Sequence, residues 1–257
     1  MGPPRSLLAS EQKRRPPLDR IVGRSPHAAK LSFRRRRSVS AAAVSGEAVR
    51  ELDHLIYAVP DLDAAVKHLG EALGVRPAAG GQHTGRGSHN MLLALGEGRY
   101  FEVIARDPGQ SDPPRTRPFG LDELTAPRLV TWAVRAPGIE EAAADAAARD
   151  CDPGAVENGG RELPEGGRIV WRRTAGGDTE ELGGVAPFFV EWGEETPHPS
   201  LDAPAGCRLV ALRGEHPRTE EVERCLDVLQ AELAVAFGEE PRLIATIEGP
   251  AGRLDLS

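Results

Sequence analysis

The sequence predicts an α+β protein, built as tandem βαβββ modules with a third, shortened βαββ unit. Two observations carry that prediction. Leu52–Val59 alternates its apolar residues between two faces, and a helical stripe of apolar residues follows it. The same strand-then-helix pattern restarts 75 residues later, where Ala133-Val134 matches Ala58-Val59, and again after a further 78 residues, at Cys207–Arg213.

In the first strand His54, Ile56 and Ala58 share one face, while Leu55, Tyr57 and Val59 share the other. Pro60 ends the strand and Asp61 is suited to cap a helix. Leu62, Val66, Leu69 and Leu73 recur at helical spacing, and Gly74 stands where a glycine commonly stops a helix. A glycine-rich stretch, residues 79–90, leads to strands at Met91–Leu95 and Arg99–Ala105, joined by Gly96-Glu97-Gly98. This first module spans about 52–105.

Residues 106–127 form a proline-rich connection. The second module, about 129–192, opens with Arg128–Arg135 and a helix from Ile139 to about Arg149. Its last two strands are Arg168–Thr174 and Pro187–Trp192, joined by a long loop. The third unit, 206–257, starts at Cys207–Arg213. Thr219 then caps a helix whose stripe is Val222, Leu226, Leu229, Leu233 and Phe237, ended by Gly238. Strands Arg242–Ile247 and Arg253–Leu256 close it. The long amphipathic helix, 220–237, either covers a sheet of its own chain or pairs with a second copy in a homodimer.

No apolar run approaches the ~20 residues a membrane helix needs, so no membrane partner is expected. The three cysteines, Cys151, Cys207 and Cys225, are far apart and odd in number, which argues against a disulfide framework and suits a reducing compartment. The formal net charge of −7 conceals two opposed regions. Residues 1–45 hold eleven Lys/Arg and two acids, a net of +9, which leaves 21 basic and 37 acidic residues, a net of −16, for 46–257. A body this acidic repels phosphates, and nucleic acid is not an expected partner.

Residues 1–45 are rich in Arg, Pro and Ser and lack the apolar stretch of a secretory signal. They read as a transit peptide or a disordered basic segment. The expected address is the chloroplast or another plastid, with the mitochondrion or cytoplasm as alternatives.

A strand bearing His54, then Val59-Pro60-Asp61-Leu62-Asp63 opening a helix that ends in Leu73-Gly74-Val75, then a strand bearing Glu102, resembles the vicinal oxygen chelate superfamily. Within it, His83–Asn90, Tyr100–Ile104 and Glu191-Trp192-Gly193 are similar to the glyoxalase-like domain, a likeness that covers residues 50–200. The resemblance implies that two βαβββ modules form curved sheets around a cavity, with a divalent metal ion (Zn, Mn, Fe or Ni) held by residues of first and last strands. Carried over residue by residue, it implies His54, Glu102 and Glu191 as ligands. The position that the 75-residue offset matches to His54 is Leu129, which cannot ligate a metal. His89 is the candidate for a missing ligand, and with His54 and Glu102 it would complete a two-histidine, one-carboxylate set.

Glu191 and His89 are the candidate catalytic residues, as a base moving a proton or as ligands. Candidate substrate contacts are His83 and Asn90 in the glycine-rich loop, Arg161 and Arg172 for an anionic group, and His198. Each has a plain structural alternative: a hydrogen-bonded core residue, a solvated strand face, or a turn. The implied activity is that of a metal-dependent lyase, isomerase or dioxygenase acting on a small oxygenated molecule. A metal-free module that binds or sequesters a small ligand is the alternative.

Overall fold

The central strands of the first two modules bury two different surfaces, and alternation along each strand sorts its residues between them. The structure is a computed structural model that describes Gly2, residues 48–111, Pro113 and residues 116–257. The chain divides into Met1–Val44 and Ser45–Ser257, and the second unit is described here. Apart from Gly2, the segment read as a transit peptide lies outside the described residues.

Module one comprises β1 (Leu52–Ala58), α1 (Leu62–Leu73), β2 (Ala78–His83), β3 (Ser88–Gly96) and β4 (Arg99–Arg106). Asp61 caps α1 as expected, its carboxylate accepting the Ala64 N–H at 2.9 Å. Gly74 ends the helix at φ 75° and donates its N–H to the Gly70 carbonyl. A second constraint acts on Gly74, because a Cβ there would lie 2.9 Å from the Ala251 nitrogen. That nitrogen donates to the Leu73 carbonyl at 3.1 Å and so docks the third unit on the end of α1.

Module two comprises β5 (Arg128–Arg135), α2 (Ile139–Ala148), β6 (Ala155–Glu162), β7 (Arg168–Ala175), a short α3 (Asp178–Glu181) and β8 (Phe188–Trp192). Sequence reading passes over β6, since Val156-Glu157-Asn158-Gly159-Gly160 carries almost no apolar period. Tertiary pairing makes it a strand: β6 pairs with β7 along its whole length and meets β2 at Gln82 opposite Glu162. That contact closes one seam between the modules, and antiparallel pairing of β1 with β5 closes the other. The eight strands form a closed barrel in the order β1-β4-β3-β2-β6-β7-β8-β5.

The third unit departs from expectation. Its helix, α4 (Thr219–Val228), follows β9 (Arg208–His216) but stops well short of Phe237. Gln230 turns the chain at φ 55°, and the Ala231 N–H bonds back to the Leu226 carbonyl at 2.9 Å. The residues expected to finish the helix instead form β10 (Ala234–Phe237), which runs parallel to β9. Thr219 is the first helical residue rather than the cap, and Arg218 at the cap position offers no side-chain bond. With β11 (Arg242–Gly249) and β12 (Gly252–Leu256) the unit is βαβββ in chain order, not βαββ. Its sheet order, β10-β9-β11-β12, also differs from that of module one, where the first strand pairs with the last.

Two apolar clusters result. Outward barrel residues such as Leu55, Phe101, Trp132 and Phe189 pack with the helices and the third sheet. Inside the barrel a smaller cluster holds Ile56, Ala58, Ile104, Val130, Ala133, Phe188 and Val190. Leu121, from the proline-rich connection, joins the inner cluster and helps to stopper the barrel. A disulfide joins Cys151 to Cys225 across 74 residues, contrary to the reading of the cysteine count; only the fold brings the end of α2 to α4. Cys207 is free and buried.

Two measurements check this arrangement. Phe237 is 74% exposed, so Phe237→Ser should shift unfolding free energy by no more than about 0.5 kcal/mol, whereas Leu226→Ala on the buried stripe should cost about 2–5 kcal/mol. Equal costs in chemical denaturation would contradict the early helix end. In the unfolded, unreduced chain one thiol, that of Cys207, should react with a thiol reagent; three reactive thiols would exclude the disulfide.

Candidate functional site

Inward alternation on β1 brings His54 into the barrel with Ile56, and on β4 it brings Tyr100, Glu102 and Ile104. Together with His83, Ser88, Asn90, Arg161, Trp171, Arg173, Phe188 and Trp192 they line a small cavity of about 50 Å³.

Two imidazoles face one carboxylate there. His54 Nε2 lies 3.9 Å from Glu102 Oε2, and His83 Nε2 lies 3.8 Å from Glu102 Oε1. Both separations are too long for a direct hydrogen bond. Glu102 is held in place by Asn90, whose Nδ2 donates to Oε1 at 2.7 Å. His83 Nδ1 pairs with the Ser88 hydroxyl at 3.0 Å. Burial pushes the His83 pKa down to about 4 against the upward pull of Glu102, with Arg161, Arg86 and Arg173 adding to the depression. His83 is therefore neutral at physiological pH.

His54 is oriented from behind. Its Nδ1 lies 2.7 Å from Asp53 Oδ1, a carboxylate with no solvent exposure. Asp53 sits where the β1–β5 register shifts between Leu52 and His54, a local irregularity of the kind that re-aims side chains beside a site. Its other oxygen accepts bonds from Arg135 Nε at 2.9 Å, His198 Nε2 at 3.0 Å and Trp192 Nε1 at 3.1 Å. His198 Nδ1 accepts the Ser200 backbone N–H, which leaves Nε2 as the protonated nitrogen that donates to Asp53. Burial alone would raise the Asp53 pKa, but the bonds from His198 and His54 outweigh it and hold the carboxyl well below the usual range. An ionised Asp53 accepts the His54 Nδ1–H, so Nε2 is the nitrogen turned toward the cavity.

The remaining sequence candidates fall outside this space. On β8 the inward residues are Phe188, Val190 and Trp192, and alternation turns Glu191 outward. Its carboxylate accepts the Gly138 N–H at 2.7 Å, at the start of α2, and pairs with Arg172, which also pairs with Glu140. Glu191 and Arg172 thus anchor α2 to the barrel exterior. On β7 the inward arginine is Arg173, one residue along. His89 lies between inward-facing Ser88 and Asn90 and points to the other side of β3. His198 lies behind the lining, bonded to Asp53 and in edge contact with Tyr100 and Trp192. Leu129 is outward as well, and the residue directly opposite His54 on β5 is Ala133, which brings no ligand either.

Sequence reasoning missed Asp53, Arg173, Ser88 and the walls Trp171, Trp192 and Phe188. The adjacency of Asp53 to His54 was the available signal for the first. The alternation Trp171/Arg173 was the signal for the second.

Arg161 is 5% exposed, and its Nη1 is buried without a hydrogen-bond partner among the described residues. The same is true of Asn90 Oδ1. The glycine pair of β2 makes room for both. A Cβ at Gly80 would meet Asn90 Oδ1 at 2.3 Å, and one at Gly81 would meet the Glu162 carbonyl at 2.0 Å and Arg161 Nη1 at 3.2 Å. Among the described residues no three His, Cys, Asp or Glu side chains are grouped as a metal ion would require.

A family model described as "Glyoxalase-like domain" matches residues 52–229. No curated protein matches the chain. Among solved structures, a hypothetical protein from Staphylococcus aureus is similar at 14% identity and a TM-score of 0.53, over 79% of this chain and 84% of that one. Methylmalonyl-CoA epimerase from Mycobacterium tuberculosis is similar at 19% identity and a TM-score of 0.37, over 59% of this chain and 92% of that one. A variant of the Streptomyces coelicolor methylmalonyl-CoA epimerase, solved in complex with 2-nitronate-propionyl-CoA, matches at 16% identity and a TM-score of 0.37, over 56% of this chain and 97% of that one. At 14% identity the likeness to the first of these is one of fold.

The depressed pKa of His83 predicts an acid-sensitive fold. Above its unfolded value of 6.5 the residue is neutral in both states and contributes nothing. As pH falls from 6.5 to about 4 the unfolded chain takes up a proton that the folded cavity refuses, so stability drops by about 3 kcal/mol. Denaturant midpoints measured across that window should fall for the natural chain and fall less for His83→Gln. An identical pH slope in both would exclude a buried neutral His83.

Proposed function

The chain belongs to the glyoxalase-like domain family of the vicinal oxygen chelate superfamily, and from that premise we propose that its barrel cavity is an active site. The reaction proposed is proton transfer on a small oxygenated molecule, as in an isomerase or a lyase. The observation that carries the reading is the convergence of His54 and His83 on Glu102, with His54 oriented by the buried Asp53.

The superfamily resemblance implies a divalent ion drawn from both modules, and the side chains present do not assemble that set. Module two turns Ala133, Phe188, Val190 and Trp192 inward, none of which can ligate a metal as these sites require, while Glu191 faces out. The mechanism proposed therefore runs through the chain's own acids and bases. His54 Nε2 takes a proton from the carbon beside the substrate carbonyl. The imidazolium so formed is stabilised by Asp53 behind it and Glu102 in front. The electron pair moves onto the carbonyl oxygen as an enolate. Return of the proton to the former carbonyl carbon, with a hydroxyl proton passing between the two oxygens, completes an isomerisation; loss of a leaving group from the carbon on the other side of the deprotonated one makes the step an elimination. Neutral His83 stands on the far side of Glu102, where it can donate or accept at the substrate oxygen. Trp171, Trp192 and Tyr100 keep water from the reacting centre.

A metal-free binding or sequestering module is the second reading, and the apolar wall supplied by β5 and β8 favours it. One experiment separates the two. The full chain, freed of divalent ions by a chelator, is incubated in D2O with a panel of small 2-oxo acids and hydroxyketones, and deuterium incorporation is followed by NMR. Expected is exchange that survives the chelator and slows by roughly 10²–10⁴-fold in His54→Ala. Exchange that appears only when a divalent ion is restored, or that His54→Ala leaves unchanged, overturns the acid–base reading. Binding without any exchange favours the sequestering module.

A further inference from the structure

Arg161 Nη1 lacks, among the described residues, the hydrogen-bond partner that its burial calls for. The other arginines of the cavity are provided for. Arg86 lies 3.2 Å and Arg173 3.8 Å from the Glu157 carboxylate, and Arg173 also stacks over the Phe119 ring at 5.5 Å. Arg161 Nη1 has no such arrangement: it lies beside Gly81 without a hydrogen-bond partner among the described residues, and Glu102, whose Oε1 is bonded to Asn90, acts on it only as a nearby charge. Burial lowers the Arg161 pKa, Glu102 raising it in part, so the group sits where its charge is poorly solvated. Buried donors left without acceptors are rare in folded proteins and call for an explanation.

We propose that the cavity takes a small carboxylate with a flat apolar body, the carboxylate pairing with Arg161. The guanidinium fork matches a carboxylate in plane and charge, and pairing within a buried site strengthens both bonds. The body then lies among Trp171, Trp192 and Phe188, aromatic faces that suit a planar or branched apolar group. Asn90 Oδ1, the other unsatisfied polar atom of the cavity, accepts from a hydroxyl or amino hydrogen on the same ligand. The carboxylate end is set by Arg161 on β6, and the reacting end by His54 on β1, so the two modules would hold one molecule between them.

This inference rests on reading the cavity as a substrate site, but it does not need proton transfer to occur. The test is therefore a binding measurement on the full chain. Isothermal titration compares benzoate and phenylacetate with benzamide and phenylacetamide, which keep the shape and lose the charge. The acids should bind at least about tenfold more tightly than the amides, the usual value of one charge-assisted bond. Arg161→Gln should erase the difference, and Arg168→Gln, on the exposed end of the β6–β7 hairpin, should leave it intact. His54→Ala should keep the preference for acids even if deuterium exchange is lost, which separates failure of the chemistry from failure of the anion site. Equal binding of acids and amides by the natural chain, or no binding of either at millimolar concentration, overturns the proposal. So does an acid preference that survives Arg161→Gln.

Discussion

The structure depends on a carboxylate that has no access to water. An isolated buried charge is too costly to keep, so Asp53 stays ionised only because donors surround it. Those donors come from β1, β5, β8 and the segment after β8, so one anion ties the two modules together at the end of the barrel. The same anion bonds His54 Nδ1, so a device that joins the halves also orients the imidazole that faces the cavity, and loss of any donor would be felt at both. Removing one partner of a buried charge typically costs several kcal/mol, because the remaining group is stranded.

Barrel closure imposes the second constraint. On β1, β4, β5 and β8 the outer face packs into the main core and the inner face lines the barrel interior, so a shift of one residue changes a side chain's role completely. Arg172 and Arg173 illustrate it: the first holds α2 through Glu140 and Glu191, and the second lines the cavity beside Phe119. Glu191 and Trp192 divide in the same way. The inner faces of the two modules are unlike in chemistry, polar from β1 to β4 and aromatic or aliphatic from β5 and β8, with β6 and β7 contributing arginines and Trp171. The cavity therefore has one ionisable wall and one apolar wall. Gly80 and Gly81 leave room for it, since a side chain at Gly80 would meet Asn90 and one at Gly81 would meet the Glu162 carbonyl and Arg161.

Much of this was legible in the sequence. Alternation in Leu52–Val59 determined which face of β1 carries His54, and the stripe with Asp61 and Gly74 determined α1 and both its ends. The repeat at 75 residues determined that a second module follows the first, with β5 and α2 in the expected places. Glu102 shares an inward face with Tyr100 and Ile104, as their spacing required. These features are local: periodicity, capping and turn chemistry act within a few residues and leave their record in the chain.

What only the tertiary structure decided was long-range. Whether β6 is a strand depended on β7 and β2, not on its own composition. The tail of the expected third helix became β10 because β9 offered it a parallel edge, while Gln230 turned the chain. Cys151 met Cys225 because the fold sets the end of α2 against α4. At the site, His83 rather than His89 faces Glu102, and Glu191 turns away from the cavity to α2. Periodicity establishes that neighbours in a strand point opposite ways, but only closure of the barrel assigns which way is in.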